Sequence, residues 1–236
     1  MAVTFQPKLL WITRSAPYCY RDAKGFQHEG LRTLAVPVSR VTASVVTPPK
    51  PADAIIFTSA HAVHNRPRNR AHDLPVFTLG DYAEEAALIR GYRNSRTARD
   101  PVRLRELIAS TVRPGSRLLI FTSNDAGTAF SEDLAQSGYE VDRQVVYETS
   151  TSTDDQLRPA LEILDQIDGI AVYSPRAAER IAGLLGRPGS GWRGTIFCLS
   201  QGCADRLSIP DGPMIRVADE PSKGALHNVV HQTWRH

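Results

Sequence analysis

The chain has little cysteine and no long apolar run. Among its 236 residues Cys19, Cys198 and Cys203 are the only cysteines, and they form neither a CxxC pair nor a ladder of disulfide spacings. A disulfide-stapled secreted scaffold is excluded on that count, and a reducing cytoplasm is the expected compartment. No apolar stretch approaches the roughly 18 residues of a membrane-spanning helix. The first residues lack an apolar core followed by a small-residue cleavage site, so no export signal is expected. Net charge is also small: 28 Lys and Arg against 25 Asp and Glu give +3. That balance does not call for nucleic acid, though it tolerates an acidic small molecule. The Arg-rich stretches Arg66–Arg70 and Arg90–Arg99 read as solvated surface.

Several chemistry-bearing motifs are missing as well. No GxGxxG follows a strand, and neither GxxxxGK[ST] nor GxSxG occurs. A dinucleotide site is therefore disfavoured, and no phosphate loop or nucleophile elbow is in evidence. His61 and His64 stand at i,i+3, and His227 and His231 at i,i+4. No third ligand accompanies either pair at a metal-site spacing such as HExxH, so no metal site is expected.

What the chain does have is a repeated local pattern. Five short apolar runs each end in hydroxyl or Arg residues and then open into a helix-like stretch. They are Leu9–Ile12 before Thr13-Arg14-Ser15, Ile55–Phe57 before Thr58-Ser59, Leu118–Phe121 before Thr122-Ser123, Gly169–Val172 before Tyr173-Ser174, and Ile196–Leu199 before Ser200-Gln201. Short apolar runs alternating with helix-period segments read as strand–loop–helix units of an α/β protein with parallel sheets. The units balance on either side of 141–150, which suggests two α/β halves.

The spacing predicts helices over Tyr18–Glu29, Tyr82–Arg90, Pro101–Val112, Ala126–Ser137, Asp154–Gln166, Arg176–Leu185, Cys203–Leu207 and Lys223–Trp234. Leu34–Val38 contains Pro37, so it is expected at a sheet edge or in a linker.

In parallel sheets ligands bind beyond the carboxyl ends of the strands, where helix N-termini present free N–H groups and partial positive charge. Ser59, Ser123, Ser174, Ser200 and Ser222 stand where a strand meets a helix. Serine there is a preferred N-cap, and a capped end still keeps N–H donors for an anion. Arg14 and Arg176 are expected at strand ends too, either gripping a carboxylate or held in a surface ion pair.

Taken in order, these segments resemble uroporphyrinogen-III synthases. Phe57-Thr58-Ser59-Ala60-His61-Ala62-Val63 is similar to the family's FTSxxAV signature, and Tyr173–Ala178 to its SPxxA element. Leu199–Ala204 is similar to the S/GxxxA element, and Ala218–Ser222 with Leu226 to the terminal AxxPSxxxL. Val146-Tyr147-Glu148-Thr149 resembles the Tyr-bearing interdomain segment. The sequence departs from the family at Ala83, at Gly202 or Cys203, where Thr is common, and at Thr122–Asp125, where an Arg-Gly pair is usual.

The resemblance implies an α/β fold of two domains, each a parallel sheet flanked by helices, joined by a two-strand linker. Domain 1 would comprise 1–36 and 150–236, domain 2 would comprise 42–144, and 37–41 and 145–149 would be the linkers, with the site in the cleft between domains. It implies cyclisation of hydroxymethylbilane, a polycarboxylate, to uroporphyrinogen III in haem biosynthesis, with inversion of ring D, loss of water and no cofactor. Tyr147 would be the catalytic acid. Arg14, Thr58, Ser59, Ser123, Ser174, Arg176, Ser200, Gly202, Cys203 and Ser222 would contact substrate. The alternative is a divergent relative, weak or inactive as a catalyst, that binds an anionic small molecule. The expected protein acts alone as a cytoplasmic monomer, without nucleic acid or membrane partners.

Overall fold

The computed structural model describes residues 7–67, 73–209 and 212–234. Residues 68–70 of the first Arg-rich stretch lie outside the described residues.

In chain order the elements begin with β1 (Leu9–Ile12), α1 (Tyr18–His28), β2 (Arg32–Ala35), β3 (Ser39–Ala43), β4 (Ala54–Phe57), α2 (Ala60–Asn65) and β5 (Val76–Leu79). Next come α3 (Asp81–Ile89), β6 (Ser95–Ala98), α4 (Pro101–Ala109), β7 (Arg117–Ser123), α5 (Thr128–Gln136), β8 (Glu140–Thr151) and α6 (Asp154–Leu161). A 3-10 turn at Leu164–Gln166 precedes β9 (Gly169–Val172), α7 (Pro175–Leu185), β10 (Thr195–Cys198), α8 (Gln201–Ala204), β11 (Met214–Val217) and α9 (Lys223–Trp234). No described helix is long and apolar enough to cross a membrane.

The chain forms two compact units. One comprises the chain up to Arg40 and from Ser150 onward; the other is Val41–Thr149. Strands β3 and β8 run through the two points of division.

The first unit holds a parallel sheet in the order β11-β10-β9-β1-β2. Successive strand residues point to opposite faces, and here both faces are covered. Leu9, Trp11, Ile170, Val172, Ile196 and Cys198 pack with Leu157, Ala178 and Ile181 on one side. Leu10, Ile12, Ala171 and Phe197 pack with Phe26, Leu226 and Val230 on the other. This two-sided burial is why the strands read as continuous apolar runs rather than alternating ones. β2 lies at the sheet edge, where the following Pro37 interrupts no ladder.

The second unit holds a sheet in the order β3-β8-β7-β4-β5-β6. Its β8-β7, β7-β4, β4-β5 and β5-β6 pairs are parallel. Ile56, Phe77, Leu118 and Ile120 face Leu104, Ile108 and Leu134. On the opposite face Phe57 meets the rings of Phe121 and Tyr92, each at a centroid distance of 5.4 Å.

Three local expectations are corrected. The helix expected over Asp154–Gln166 leaves α geometry at Ile163 (φ −121°), which turns Ile163, Leu164 and Ile167 together onto the core. The helix expected over Cys203–Leu207 both starts and ends earlier, at Gln201–Ala204; Cys203 within it and Leu207 beyond it are both in the core. The Arg90–Arg99 stretch contains β6, an edge strand whose solvated outer positions hide it in the composition.

Phe197 is fully buried and meets Trp234 edge-on at 5.0 Å. Phe197→Ala is expected to lower unfolding free energy by about 3–5 kcal/mol in a urea titration, the usual cost of removing a buried aromatic. A loss below about 1 kcal/mol would contradict the packing described.

Candidate functional site

Each sheet has a point where strand order reverses direction. In the first unit it lies between β1 and β9: the chain leaves β1 outward to β2, then returns and builds β9, β10 and β11 on the other side. In the second it lies between β4 and β7. Crevices beyond the carboxyl ends of such strand pairs are where open α/β sheets bind ligands, because the connections splay to opposite faces there. Both points carry residues singled out from the sequence.

In the second unit Thr58 and Ser59 follow β4, and Thr122 and Ser123 end β7. Ser59 is the N-cap of α2: its extended backbone lets Oγ accept from the Ala62 N–H at 3.1 Å. The same oxygen lies 2.8 Å from the phenol of Tyr147. Tyr147 reaches this level through a bulge. Thr122 pairs with Val145, but Ser123 pairs with Tyr147, so Val146 is skipped. An inserted residue shifts the strand's register and re-aims the side chains beyond it. The phenol is buried (6% exposed), and its ring lies 5.6 Å from the imidazole of His61.

Around this pair the backbone is fixed by side chains. Thr58 Oγ1 lies 2.9 Å from Thr122 Oγ1, which in turn donates to the Ala126 carbonyl at 3.1 Å. Arg143, absent from the sequence expectations, holds the loop after β7. Its Nη2 donates toward the carbonyls of Ser123, Asn124 and Ala126 at 2.9, 3.3 and 2.8 Å. Ser123 is not a cap: it is the buried last residue of β7, and Gly127 stands at the N-cap of α5 with φ 82°. Three residues, Asn124, Asp125 and Ala126, intervene, which no strand–helix spacing rule foresees.

In the first unit Thr13 is buried beyond β1, and both its N–H and its Oγ1 donate to the Ala171 carbonyl of β9, at 3.3 and 2.7 Å. The Arg14 guanidinium sits 5.3 Å from the ring centroids of both Tyr18 and Tyr173 and 3.9 Å from Asp22 Oδ2. Asp22 is 1% exposed, so Arg14 is anchored to a buried carboxylate rather than paired on the surface. Ser174 caps α7, its Oγ accepting from the Ala177 N–H at 3.2 Å, with Pro175 at the first helical position. Arg176 is half-buried in the same first turn.

Ser200 takes the N-cap position of α8, but its hydroxyl makes no bond to the helix backbone and instead lies 3.4 Å from Cys203 Sγ. Burial pushes the Cys203 thiol above its ordinary range, and that of Cys198 to about 12. The side chain of Cys203 therefore belongs to the core as a neutral thiol. Gly202 is exposed, with room for a Cβ at ordinary contact distance from Ser200 and Pro175. Ser222 accepts from the Ala225 N–H at 3.1 Å and donates to Glu220 at 2.9 Å.

Thus Thr58, Ser59, Ser123 and Tyr147 gather in the second unit, and Arg14 and Ser174 flank the switch point of the first. Ser200, Gly202, Cys203 and Ser222 follow the outer strands β10 and β11 of that same sheet. Among the described residues one group of three metal-ligating side chains comes together, Glu29, His227 and His231, apart from all of these.

A model of the family described as HEM4, uroporphyrinogen-III synthase HemD, matches residues 21–228. Among solved structures, the chain is similar to the uroporphyrinogen-III synthetase of Helicobacter pylori 26695, with TM-score 0.62 and 15% identity over 97% of this chain and 100% of that one. It is also similar to a mutant uroporphyrinogen III synthase of Thermus thermophilus, with TM-score 0.56 and 14% identity over 97% and 99%. At such identities the structural likeness carries the fold, and the family model carries the membership. No curated protein matches the chain significantly.

Gly127 closes the loop behind Ser123 with a positive φ, and a Cβ there would lie 2.8 Å from Thr122 Oγ1. Gly127→Ala is expected to destabilise by about 1–3 kcal/mol through backbone strain alone, with the contact to Thr122 adding to it. A urea titration within about 0.5 kcal/mol of the parent would contradict this placement of the loop.

Proposed function

The chain belongs to the uroporphyrinogen-III synthase family, and on that premise we propose that it closes hydroxymethylbilane to uroporphyrinogen III, with Tyr147 as general acid. The observation that carries the reading is the hydrogen bond between Tyr147 and Ser59 at the switch point of the second sheet. It joins the Tyr of one family segment to the Ser of another, 88 residues apart.

The substrate carries eight carboxylates, so its binding surface must offer many donors. Ser59 and Ser174 with their helix N–H groups, Thr58, Ser123, Ser200 and Ser222, and the cations Arg14 and Arg176 are the donors we assign to it. The backbone of Gly202 completes that set, whereas the Cys203 N–H already donates to the Ser200 carbonyl at 3.0 Å.

The reaction begins when the hydroxyl of the ring A hydroxymethyl group leaves. The C–O bond breaks, the pyrrole nitrogen lone pair forms the azafulvene, and a proton from Tyr147 Oη converts the departing oxygen to water. Ser59 Oγ, held by the Ala62 N–H, then donates to the phenolate that develops. Ring D attacks through its substituted carbon to give a spiro intermediate, and the protein's remaining task is to hold the chain in that geometry.

Two observations favour the second reading, a weak or inactive relative that binds an anionic ligand: the start of α8 offers Gly202 and a buried thiol, and α3 offers Ala83. Monomeric state and a cytoplasmic setting are part of the proposal; three free, buried cysteines suit a reducing compartment.

The test is an assay in which hydroxymethylbilane is generated in situ and the ratio of III to I isomer is measured. The parent chain is expected to give mainly the III isomer. Tyr147→Phe, with unchanged circular dichroism, should lower turnover several-fold or more; general acids contribute about 10²–10⁴, and a readily ionised pyrrole needs less help. Only the I isomer from the parent would reject catalysis, and an unchanged rate in the variant would remove Tyr147 from the chemistry.

A further inference from the structure

The first unit brings together three ligating side chains that the sequence keeps far apart. Glu29 ends α1, while His227 and His231 sit one turn apart on α9, 198 and 202 residues further along. Residues at i and i+4 lie on one helical face, so α9 presents both imidazoles to the same carboxylate. His227 Nδ1 lies 3.0 Å from each oxygen of Glu29, and His231 Nε2 meets Oε2. The ligand atoms of all three residues lie within 4.8 Å of one another.

The arrangement is fixed on one side and open on the other. The His227 ring is stacked on Phe26, centroids 3.8 Å apart and planes inclined by 11°, which aims Nδ1 at Glu29. Glu29 and His231 are partly exposed and border a cleft of about 600 Å³ that Asn228 and Gln232 also line. Burial raises the pKa of Glu29, but the hydrogen bonds from His231 and His227 outweigh it and hold the carboxyl below its ordinary range, so it is an anion.

The cluster is remote from the polar strand ends. Trp234, one turn beyond His231, packs against Gly169, the first residue of β9, so this part of α9 lies at the amino end of the sheet. Glu29 likewise shortly precedes β2.

We propose that Glu29, His227 and His231 form a binding site for a borderline divalent metal ion, zinc foremost, with the fourth position left to water. Two imidazole nitrogens and one carboxylate are an established zinc donor set. Calcium and magnesium take oxygen ligands and are not served by this one. Ligands about 2.1 Å from a tetrahedral ion stand roughly 3.4 Å apart, so the Glu29–His227 spacing need open by about 0.4 Å and the closer Glu29–His231 contact by about 1 Å, a movement that the partly exposed His231 can provide. The ion replaces the shared imidazole–carboxylate hydrogen bonds and ties α1 to α9. These helices come from the two separate stretches of chain that build the first unit. Its role is a clip on the folded state, stabilising by linkage, and it takes no part in the ring closure.

The test uses the full chain, treated with chelator and then titrated with zinc chloride by calorimetry, and with cobalt(II) by absorption. One equivalent is expected to bind without thiolate charge-transfer bands, and zinc should raise the unfolding temperature. Losing even an outer partner of a metal ligand costs about 10–100-fold in affinity, so His231→Ala and Glu29→Gln should each weaken binding at least about ten-fold and abolish the thermal shift. Imidazole NMR of the unsubstituted chain gives a readout independent of variant folding: the His227 and His231 signals should move with the first equivalent. The proposal is overturned if the parent chain binds no zinc or cobalt, if both variants bind as tightly as the parent, or if the signals that move are those of His61 and His64.

Discussion

A strand covered by helices on both faces has only its ends to give to polar chemistry. Leu9, Leu10, Trp11 and Ile12 all face apolar neighbours, and the chain's first polar opportunity is Thr13-Arg14. The same holds where Ala54–Phe57 gives way to Thr58-Ser59. Burial of the strands thus leaves polar side chains to the strand ends, and at the carboxyl rim of each sheet, after β1 and β4, these are the Thr13-Arg14 and Thr58-Ser59 pairs. Reversal of strand order then opens a gap in the middle of that rim, between β1 and β9 and between β4 and β7. Every role assigned to a substrate-facing residue here depends on that segregation.

Within the rim, geometry is set by caps, hydrogen bonds and ring contacts that fix the residues proposed to meet substrate. Ser59 caps α2 and holds Tyr147 with the same oxygen. Ser174 caps α7 while Pro175 fills the position whose N–H would have no partner. Arg14 is pinned between two tyrosine rings above a buried aspartate, which fixes a cation beside the first switch point. A side chain held in this way loses little conformational freedom when a ligand arrives.

Much of the fold was legible because apolar runs and helix periods are local signals: the runs at Leu9, Ile55, Leu118, Ile170 and Ile196 are the central strands of the two sheets. β6 was not, since an edge strand of Ser, Arg, Thr and Ala carries no apolar signature. For the candidate site, Ser59 and Ser174 were readable as caps from their position before a helix. The bulge that lifts Tyr147 to Ser123 was not, because register is decided by pairing between strands rather than by either sequence. Arg143 escaped notice for the same reason: its three carbonyl partners lie at the end of the neighbouring strand and in the loop after it. The Glu29–His227–His231 group depends on a contact across some 200 residues, beyond any spacing rule.

The central claim, that the strand carboxyl ends at the two switch points receive the substrate's carboxylates, is tested most directly by backbone amide NMR. The chain is titrated with uroporphyrinogen III kept reduced. The account predicts shifts at residues 58–62, at 123–124 and 147, and at 14, 173–174 and 176–177, with the amide of Gly169 at the opposite end of β9 unmoved. Shifts confined to the amino ends of the strands, or spread evenly over the surface, would contradict it.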